Sequence, residues 1–424
     1  MSLSRRQALG WTAGAAATLV AVRAVDQGVI RFSDSPALKA WDDWTGRRHS
    51  GPLALVSAGL LAASPHNTQP WRFAIGRLGV DIFEEPERDL GAMDPFGRER
   101  LAGLGGAIHN MAIASTALGR LATVRLLPDP ENLGHVARLE LDTPSRSAPP
   151  PHPLLPAIGR RHTHRGPWTG APLTPEQTAA LLDFPRPPEI AVQLFAAGSQ
   201  AGQRFAALTL EATGAIAADT AMMAASHRWF RHSRAAQDRH KDGLTLATSG
   251  VAPMMAAAAA MLPPMGAAQE GRYWLEATRD SHLPTASVFG LITATDPWDR
   301  RLALHAGLAW QRLHLIATSL GLVAQPLNQL PEMIDRQRQL GTVPRFARAV
   351  DALPGVDAAR RPTFAFRIGR AEMPAGPSLR RPVSEVIGAP ARLGFEIERA
   401  RAETAIRDAQ LMRRLAEGNA ASIP

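Results

Sequence analysis

The sequence predicts an α+β fold built from two fused, diverged copies of one domain, and three observations carry the prediction. The chain repeats itself at a fixed offset, with Asp94-Pro95-Phe96-Gly97-Arg98 returning as Asp296-Pro297-Trp298-Asp299-Arg300. Each half mixes long helical patterns with short strand-like runs. A stiff, extended stretch, Pro149-Pro150-Pro151-His152-Pro153, is suited to neither helix nor strand and reads as the linker between the halves.

The repeat continues without a gap. Gly105, Ala107, Thr116, Leu118, Gly119 and Ala122 meet Gly307, Ala309, Thr318, Leu320, Gly321 and Ala324. Nine identities fall in 29 positions, where chance gives about two at average residue usage. The period is half the chain, so it marks a duplicated domain rather than a solenoid.

In the first copy, Leu101, Leu104, Ile108, Met111, Ser115 and Leu118 recur at spacings of three and four, which predicts a helix burying one stripe, with Gly119 as its C-cap. The second copy, Leu304 to Leu322, is more continuously apolar and is expected to be the more central helix. Strands are expected at Val80–Glu84, Val124–Leu127 and Ala137–Leu141, then at Ile190–Ala196, Val288–Ala294 and Pro362–Gly369. The chain divides into an N-terminal segment (1–30), a first half (31–148), a second half (149–390) and a peripheral C-terminal helix (391–424). The stretch 227–273 has no counterpart in the first half. Such an insertion suits a lid over a site, or a helical excursion on the surface.

Composition narrows the function. Hydrophobic residues make up 45% of the chain, enough for a large core. The formal charge is +9, but the basic residues are scattered and the single tyrosine offers little for base stacking, which argues against nucleic acid. There is no cysteine, which excludes thiolate catalysis and cysteine-ligated metals. Ser4-Arg5-Arg6-Gln7-Ala8-Leu9 precedes the apolar, alanine-rich stretch Ala8–Val22 and resembles a twin-arginine signal, although Ala8 stands where a larger apolar residue is usual. The resemblance implies the twin-arginine export machinery as a partner, a periplasmic location and a possible membrane association through this segment.

Ala63-Ser64-Pro65-His66-Asn67-Thr68-Gln69-Pro70-Trp71-Arg72-Phe73 is dense in turn-forming and hydrogen-bonding residues and suits a loop that presents polar groups to a ligand. It closely resembles the P-S-x-x-N-x-Q-P-W-x-F signature of nitroreductase-like FMN flavoproteins. Ser64, His66 and Asn67 are thereby implied as FMN contacts, with Gln69 also at the site and, like Trp71, fixing the loop. Arg72 is expected to face solvent. Arg161, Thr163 and Arg165, three groups able to converge on a phosphate, resemble the R-x-S-x-R element that holds the FMN phosphate and ribityl chain. His162 and His164 lack the further ligands that a metal needs. Gln325, Pro326 and Leu327 resemble the segment beside the flavin ring, and Arg380 and Arg381 resemble a terminal R-x-P-x-x-E-V-V element that returns a basic residue to the phosphate.

The double-length, Acg-type branch of this family is the best match, because there one chain mimics the usual homodimer. The N-x-Q-P-W loop occurs only in the first half and the R-x-T-x-R element only in the second. One complete FMN site per pseudo-dimeric chain is therefore expected. The resemblance implies an FMN-dependent oxidoreductase passing electrons to a small acceptor such as a nitro compound or quinone. The alternative is a protein that sequesters FMN beneath a lid. No side chain stands out as a catalytic acid or base, and hydride transfer from a flavin requires none.

Overall fold

A computed structural model describes residues 22–24, 26, 35–77, 79–143 and 148–388. The expected signal arginines Arg5 and Arg6 and the expected helix from Ala391 lie outside the described residues.

In the first half, α1 (Lys39–Thr45) and α2 (Pro52–Gly59) lead into β1 (Trp71–Ile75) and β2 (Gly79–Glu84). Alternation is the cause of the strands: Val80, Ile82 and Glu84 are buried while their neighbours are partly exposed. Helix α3 (Arg98–Ser115) then crosses to β3 (Ala122–Leu126) and β4 (His135–Leu141). The second half runs α4 (Pro175–Leu182), β5 (Ile190–Ala196), α5 (Gln200–Ala218), α6 (Thr220–His227), α7 (Arg234–His240), α8 (Pro253–Ala260), α9 (Ala267–Ala277) and β6 (Val288–Ala294). It continues through α10 (Arg300–Ser319), β7 (Val323–Pro326), α11 (Gln329–Leu340), α12 (Arg345–Asp351), β8 (Arg361–Gly369) and α13 (Val383–Val386).

Both halves form a four-stranded antiparallel sheet, in the orders β1-β2-β4-β3 and β5-β6-β8-β7. This is one connection made twice, with the long helix inserted between the second and third strands each time. Each sheet also carries one register irregularity late in its second strand, at Ile82/Phe83 and at Ile292/Thr293. The two-half α+β architecture expected from the repeat is therefore present. The six expected strands occur within two residues of their boundaries; β1 and β7 are the two strands beyond those six, both in segments expected to border the ligand.

The repeated residues have physical reasons. Asp94 accepts from the backbone N–H groups of Glu99 (3.1 Å) and Arg100 (2.9 Å) at the start of α3, and its counterpart Asp296 accepts from Trp298 N–H (2.9 Å) just ahead of α10. Gly119 and Gly321 take the left-handed conformation that ends each helix. Gly105 and Gly307 mark the crossing of α3 and α10. A Cβ on Gly105 would sit 2.1 Å from Leu304 O, and one on Gly307 would sit 1.9 Å from Ala102 O. Both contacts are related by the same offset of 202, so the crossing lies on the pseudo-twofold axis.

Two expectations are corrected here. Helix α3 buries every residue except His109 and Ala112 rather than one stripe, while α10 leaves more of its surface partly exposed. Helix α3 is the more central of the two because α2, sheet one and α10 pack around it, and over its full length it is also the more apolar. The excursion in the second half is also wider than 227–273. It occupies the whole connection from β5 to β6, where the first half has only a tight turn between β1 and β2.

The halves share their core. Leu304 and Leu315 lie among the first half's buried apolar residues, and Ala102 lies among the second's. Residues 383–387 also return to the first half, where Val383 and Val386 are buried and Ile387 forms a parallel bridge beside Phe73 of β1.

Candidate functional site

The loop from α2 to β1 concentrates backbone strain. His66, Asn67 and Gln69 have positive φ of 45°, 57° and 52°, a conformation that costs each about 1 kcal/mol or more. It persists because side chains hold it. Ser64 Oγ accepts from Gln69 N–H (3.0 Å). Asn67 Nδ2 donates to Gly243 O (3.1 Å) and Leu379 O (2.9 Å), while its Oδ1 accepts from Arg380 Nη1 (2.6 Å). Gln69 Nε2 donates to Lys241 O (2.8 Å), and its Oε1 accepts from Arg381 N–H (2.9 Å). Gln69 thus ties the loop to the carbonyl of Lys241 and the N–H of Arg381. Asn67, expected against a cofactor, turns both ends of its amide to the protein. His66 remains at the loop tip, its Nε2 2.9 Å from Ser226 Oγ.

Just beyond α2, three successive carbonyls face cations. Arg380 Nε donates to Leu60 O (2.6 Å), Arg161 Nη2 to Leu61 O (3.0 Å) and Arg380 Nη2 to Ala62 O (2.9 Å). Unsatisfied carbonyls after a helix favour positive charge there. Arg380 Nη1 also donates to Ser378 Oγ (2.7 Å) and Leu379 O (2.8 Å). Arg381 Nη2 donates to Gln69 O (2.7 Å), Trp71 O (3.0 Å) and Glu85 Oε2 (2.7 Å). The pair expected to return a basic group to a phosphate also pins residues 378–381 to the loop. Arg72 is also not free in solvent: it is half-buried against Glu85, with Nε donating to Oε1 at 2.9 Å.

Arg161 is different. It is buried, and its Nε and Nη1 have no partner; beside it, Nδ1 of His162 and Nδ1 of His314 are likewise buried and unpartnered. His162 packs at 4.6 Å from Trp41, whose ring also lies 5.1 Å from the Arg380 guanidinium. Thr163 forms a parallel bridge with Ala324, and His164 N–H donates to Ala324 O (3.2 Å), so the 161–165 stretch lies along the free edge of β7. Arg165 Nη1 donates to Thr248 O (3.0 Å). Gly250 lies so close that a Cβ there would be 2.3 Å from the Arg165 carbonyl group. Gln325 Oε1 accepts from Arg367 Nε (2.8 Å), Pro326 ends β7, and Leu327 N–H donates to Ala365 O (2.7 Å). Arg367 stacks at 3.7 Å on Trp168 and donates to His282 O (2.6 Å) and Gly166 O (2.9 Å).

The electrostatics of this region are one-sided. Arg161, Arg165, Arg367 and Arg380 are all held below the ordinary guanidinium range by burial, and no carboxylate acts on any of them. Arg161 and Arg165 come down to about 10 and still carry full charge at neutral pH. Burial, with the nearby arginines second, lowers His66 to about 4 and His162 and His282 to about 3, so these imidazoles are neutral donors and acceptors. Buried cations with unpartnered N–H groups and no counter-ion are costly. The arrangement is suited to receive an anion.

The structure therefore brings Ser64, His66, Asn67, Gln69, Arg161, Thr163, Arg165, Gln325, Pro326, Leu327, Arg380 and Arg381 into one region, in different roles. Arg367, His282, His314 and Ser226 join them without having been read from sequence. Arg367 left a signal, since a charged residue interrupts the apolar run Phe364-Ala365-Phe366-Arg367-Ile368. The carbonyls of Lys241, Gly243 and Thr248 left none, because backbone groups carry no sequence signature. These carbonyls place the excursion directly on both motif loops.

The pseudo-equivalent place is different. There Phe184–Pro187 faces His109, His305, Leu308, Ala309 and Arg312 across a cavity of about 360 Å³.

No protein-family model matches the chain. Over 120 residues it is 32% identical to "Putative NAD(P)H nitroreductase Rv3131" of Mycobacterium tuberculosis, covering 26% of this chain and 32% of that protein. Over 118 residues it is 35% identical to "Putative NAD(P)H nitroreductase acg" of the same organism, covering 28% of this chain and 35% of that one. The matches thus span about a third of the length of these relatives. The solved structure of the FMN-dependent nitroreductase NfnB from Mycobacterium smegmatis, in complex with NADPH, aligns with 56% of this chain and 100% of its own at 18% identity and a TM-score of 0.34. Over about a quarter of its length the chain is thus similar in sequence to two proteins of Mycobacterium tuberculosis that carry the name putative NAD(P)H nitroreductase.

Proposed function

We propose that the chain binds one FMN and acts as a nitroreductase-type oxidoreductase towards a small electron acceptor. One observation carries the reading: buried, carboxylate-free Arg161 and Arg165 lie beside a strained loop, with Arg161 Nε and Nη1 and two imidazole nitrogens unpartnered. A phosphate dianion answers that donor set, which a neutral or cationic ligand does not. In this reading Arg161, Thr163 and Arg165 hold the phosphate. Ser64, His66 and the backbone of Gln325–Leu327 border the ring, and Asn67, Gln69, Arg380 and Arg381 keep the loop in place. Bound FMN supplies the redox chemistry between a reduced donor and an acceptor such as a nitro compound or quinone. The protein's own groups bind, orient and exclude water, and none moves a proton as an assigned catalytic acid or base.

Flavin released on denaturation is expected at one equivalent per chain. Two equivalents, or none after reconstitution with FMN, would overturn the reading.

A second reading, FMN storage without rapid turnover, is favoured by the carbonyls of Lys241, Gly243 and Thr248, which take hydrogen bonds from Gln69, Asn67 and Arg165 and so cover the motif loops. The two separate on reduction. Bleaching of the flavin bands by NADPH supports turnover, whereas bleaching by dithionite alone supports storage. Export by the twin-arginine route belongs to the same proposal and rests on Ser4–Leu9. Changing Arg5 and Arg6 to Lys should retain the protein in the cytoplasm, and an unaltered protein already found there refutes it.

A further inference from the structure

The excursion over the site contains a second cluster of chemistry-bearing groups, unrelated to the flavin motifs. His227 ends α6, His232 follows in the next turn, and Glu270 sits in the first turn of α9. His227 Nδ1 lies 2.9 Å from Glu270 Oε2, and His232 Nε2 lies 3.6 Å from Glu270 Oε1. All three ligand atoms fall within 4.8 Å of one another. Four ligands around zinc, at about 2.0 to 2.2 Å each, stand roughly 3.3 Å apart, and the two histidine–carboxylate separations fall either side of that spacing.

A second observation points to an occupant. His232 Nε2 and Glu270 Oε1 are both buried without a hydrogen-bond partner, although they face each other. The ring of His232 is fixed by stacking on Phe230, with centroids 4.9 Å apart at 27°. Arg231, the nearest cation on the same turn, is neutralised by Asp242 at 2.6 Å and so does not fill the place of a metal. His227 is the most exposed of the three, which leaves the fourth coordination position open to water.

We propose that His227, His232 and Glu270 bind one divalent transition cation of the zinc type. Two imidazoles and one carboxylate suit such a borderline ion better than calcium or magnesium, which take oxygen ligands. The cation clasps α6 to α9. It also steadies the flavin loop, because Ser226, next to His227, contacts His66 at 2.9 Å. The metal site itself does not depend on the flavin proposal.

The test uses the full chain, stripped with chelator and titrated with zinc alone. One zinc per chain is expected, with an accompanying rise in Tm. His232→Ala and Glu270→Gln should each weaken binding roughly tenfold or more and abolish the rise. His240→Ala, at an exposed histidine of the same excursion, should bind as the unaltered protein does. Equal affinity in all four proteins, or no saturable binding in the first, would overturn the proposal. If the variants fail to fold, cobalt in the unaltered protein decides. An intense four-coordinate visible band supports the site, and a weak six-coordinate spectrum or none refutes it.

Discussion

The two faces of the α3–α10 crossing began as copies and now differ in what their loops can approach. On the first face, Gly103 and Gly106 of α3 let residues 63–65 lie on the helix: a Cβ on Gly103 would stand 3.2 Å from Pro65 Cδ, and one on Gly106 would stand 3.5 Å from Ala63 O. The positions 202 residues later are His305 and Leu308. There the loop Phe184–Pro187 stands off, and the cavity of about 360 Å³ remains between loop and helices. The cross-helix groups differ too. On the first face Gln311 and Asn110 bond to each other (2.9 Å) and to Ala63 N–H (3.4 Å) and Ala58 O (2.9 Å). Their counterparts His109 and Arg312 carry buried nitrogens without partners, and Arg312 instead lies 5.8 Å over Phe184. Loss of two glycines is a sufficient physical reason for one duplicated site to keep its loop and the other not. The result favours one cofactor per chain.

The largest expected effect breaks both faces together. Gly307→Ala places a Cβ 1.9 Å from Ala102 O, where only separation of the helices relieves the clash. It should cost about 3 kcal/mol or more, measured as a lower urea midpoint or loss of soluble protein. A midpoint equal to that of the unaltered chain would show that the shared crossing does not hold the halves together.

Charge sharpens the comparison next. Arg161→Met and Arg165→Ala should each weaken FMN binding about ten- to hundredfold and erode the preference for FMN over riboflavin, as expected for loss of a charge-assisted contact of roughly 1.5 to 3 kcal/mol. Arg312→Met on the other face should leave both unchanged. Arg72→Ala should act through stability rather than affinity, because Arg72 is held by Glu85. Fluorescence titrations that cannot tell Arg161→Met from Arg312→Met would remove the distinction between the faces.

Acid should strike both faces, the first harder. His66, His162 and His282 on the first face, and His109 on the second, are held at about 4, 3, 3 and 3, below the ordinary 6.5, with burial the leading cause. The unfolded chain therefore binds more protons between pH 6.5 and about 3. Their contribution is fully present above pH 6.5 and is lost as the pH falls towards these values. Urea unfolding at pH 7.5 and 5 should show a loss on the order of 1 kcal/mol or more per histidine. His162→Gln should flatten the profile. A profile flat from 7.5 to 5 in the unaltered protein would contradict it.

The smallest effect separates two neighbouring glycines. Gly106→Ala meets only ordinary contacts and should stabilise α3 by up to about 1 kcal/mol. Gly103→Ala should gain less or lose, because Ser64 and Pro65 must yield. Equal thermal shifts would mean that the loop moves freely over this face.

The sequence by itself determined the duplication, six of the eight strands and the helix end at Gly119, and it named two loops that the fold brings together. These features rest on local causes that leave a trace: alternation, caps, glycines and motif spacing. It also determined that one half carries the loop and the other the arginines. Tertiary structure alone decided how each group is used. Arg161 and Arg380 are the same residue type in comparable motifs. Yet Arg380 is spent on the carbonyls after α2 and on Asn67, while Arg161 keeps unpartnered N–H groups. The burial of α3 over α10 was decided in the same way by what packs around each helix. So was the placing of the carbonyls of Lys241, Gly243 and Thr248 on the motif loops. The physical reason is common to all three: burial and hydrogen-bond partnership belong to pairs of segments far apart in the chain, and no single segment encodes its partner.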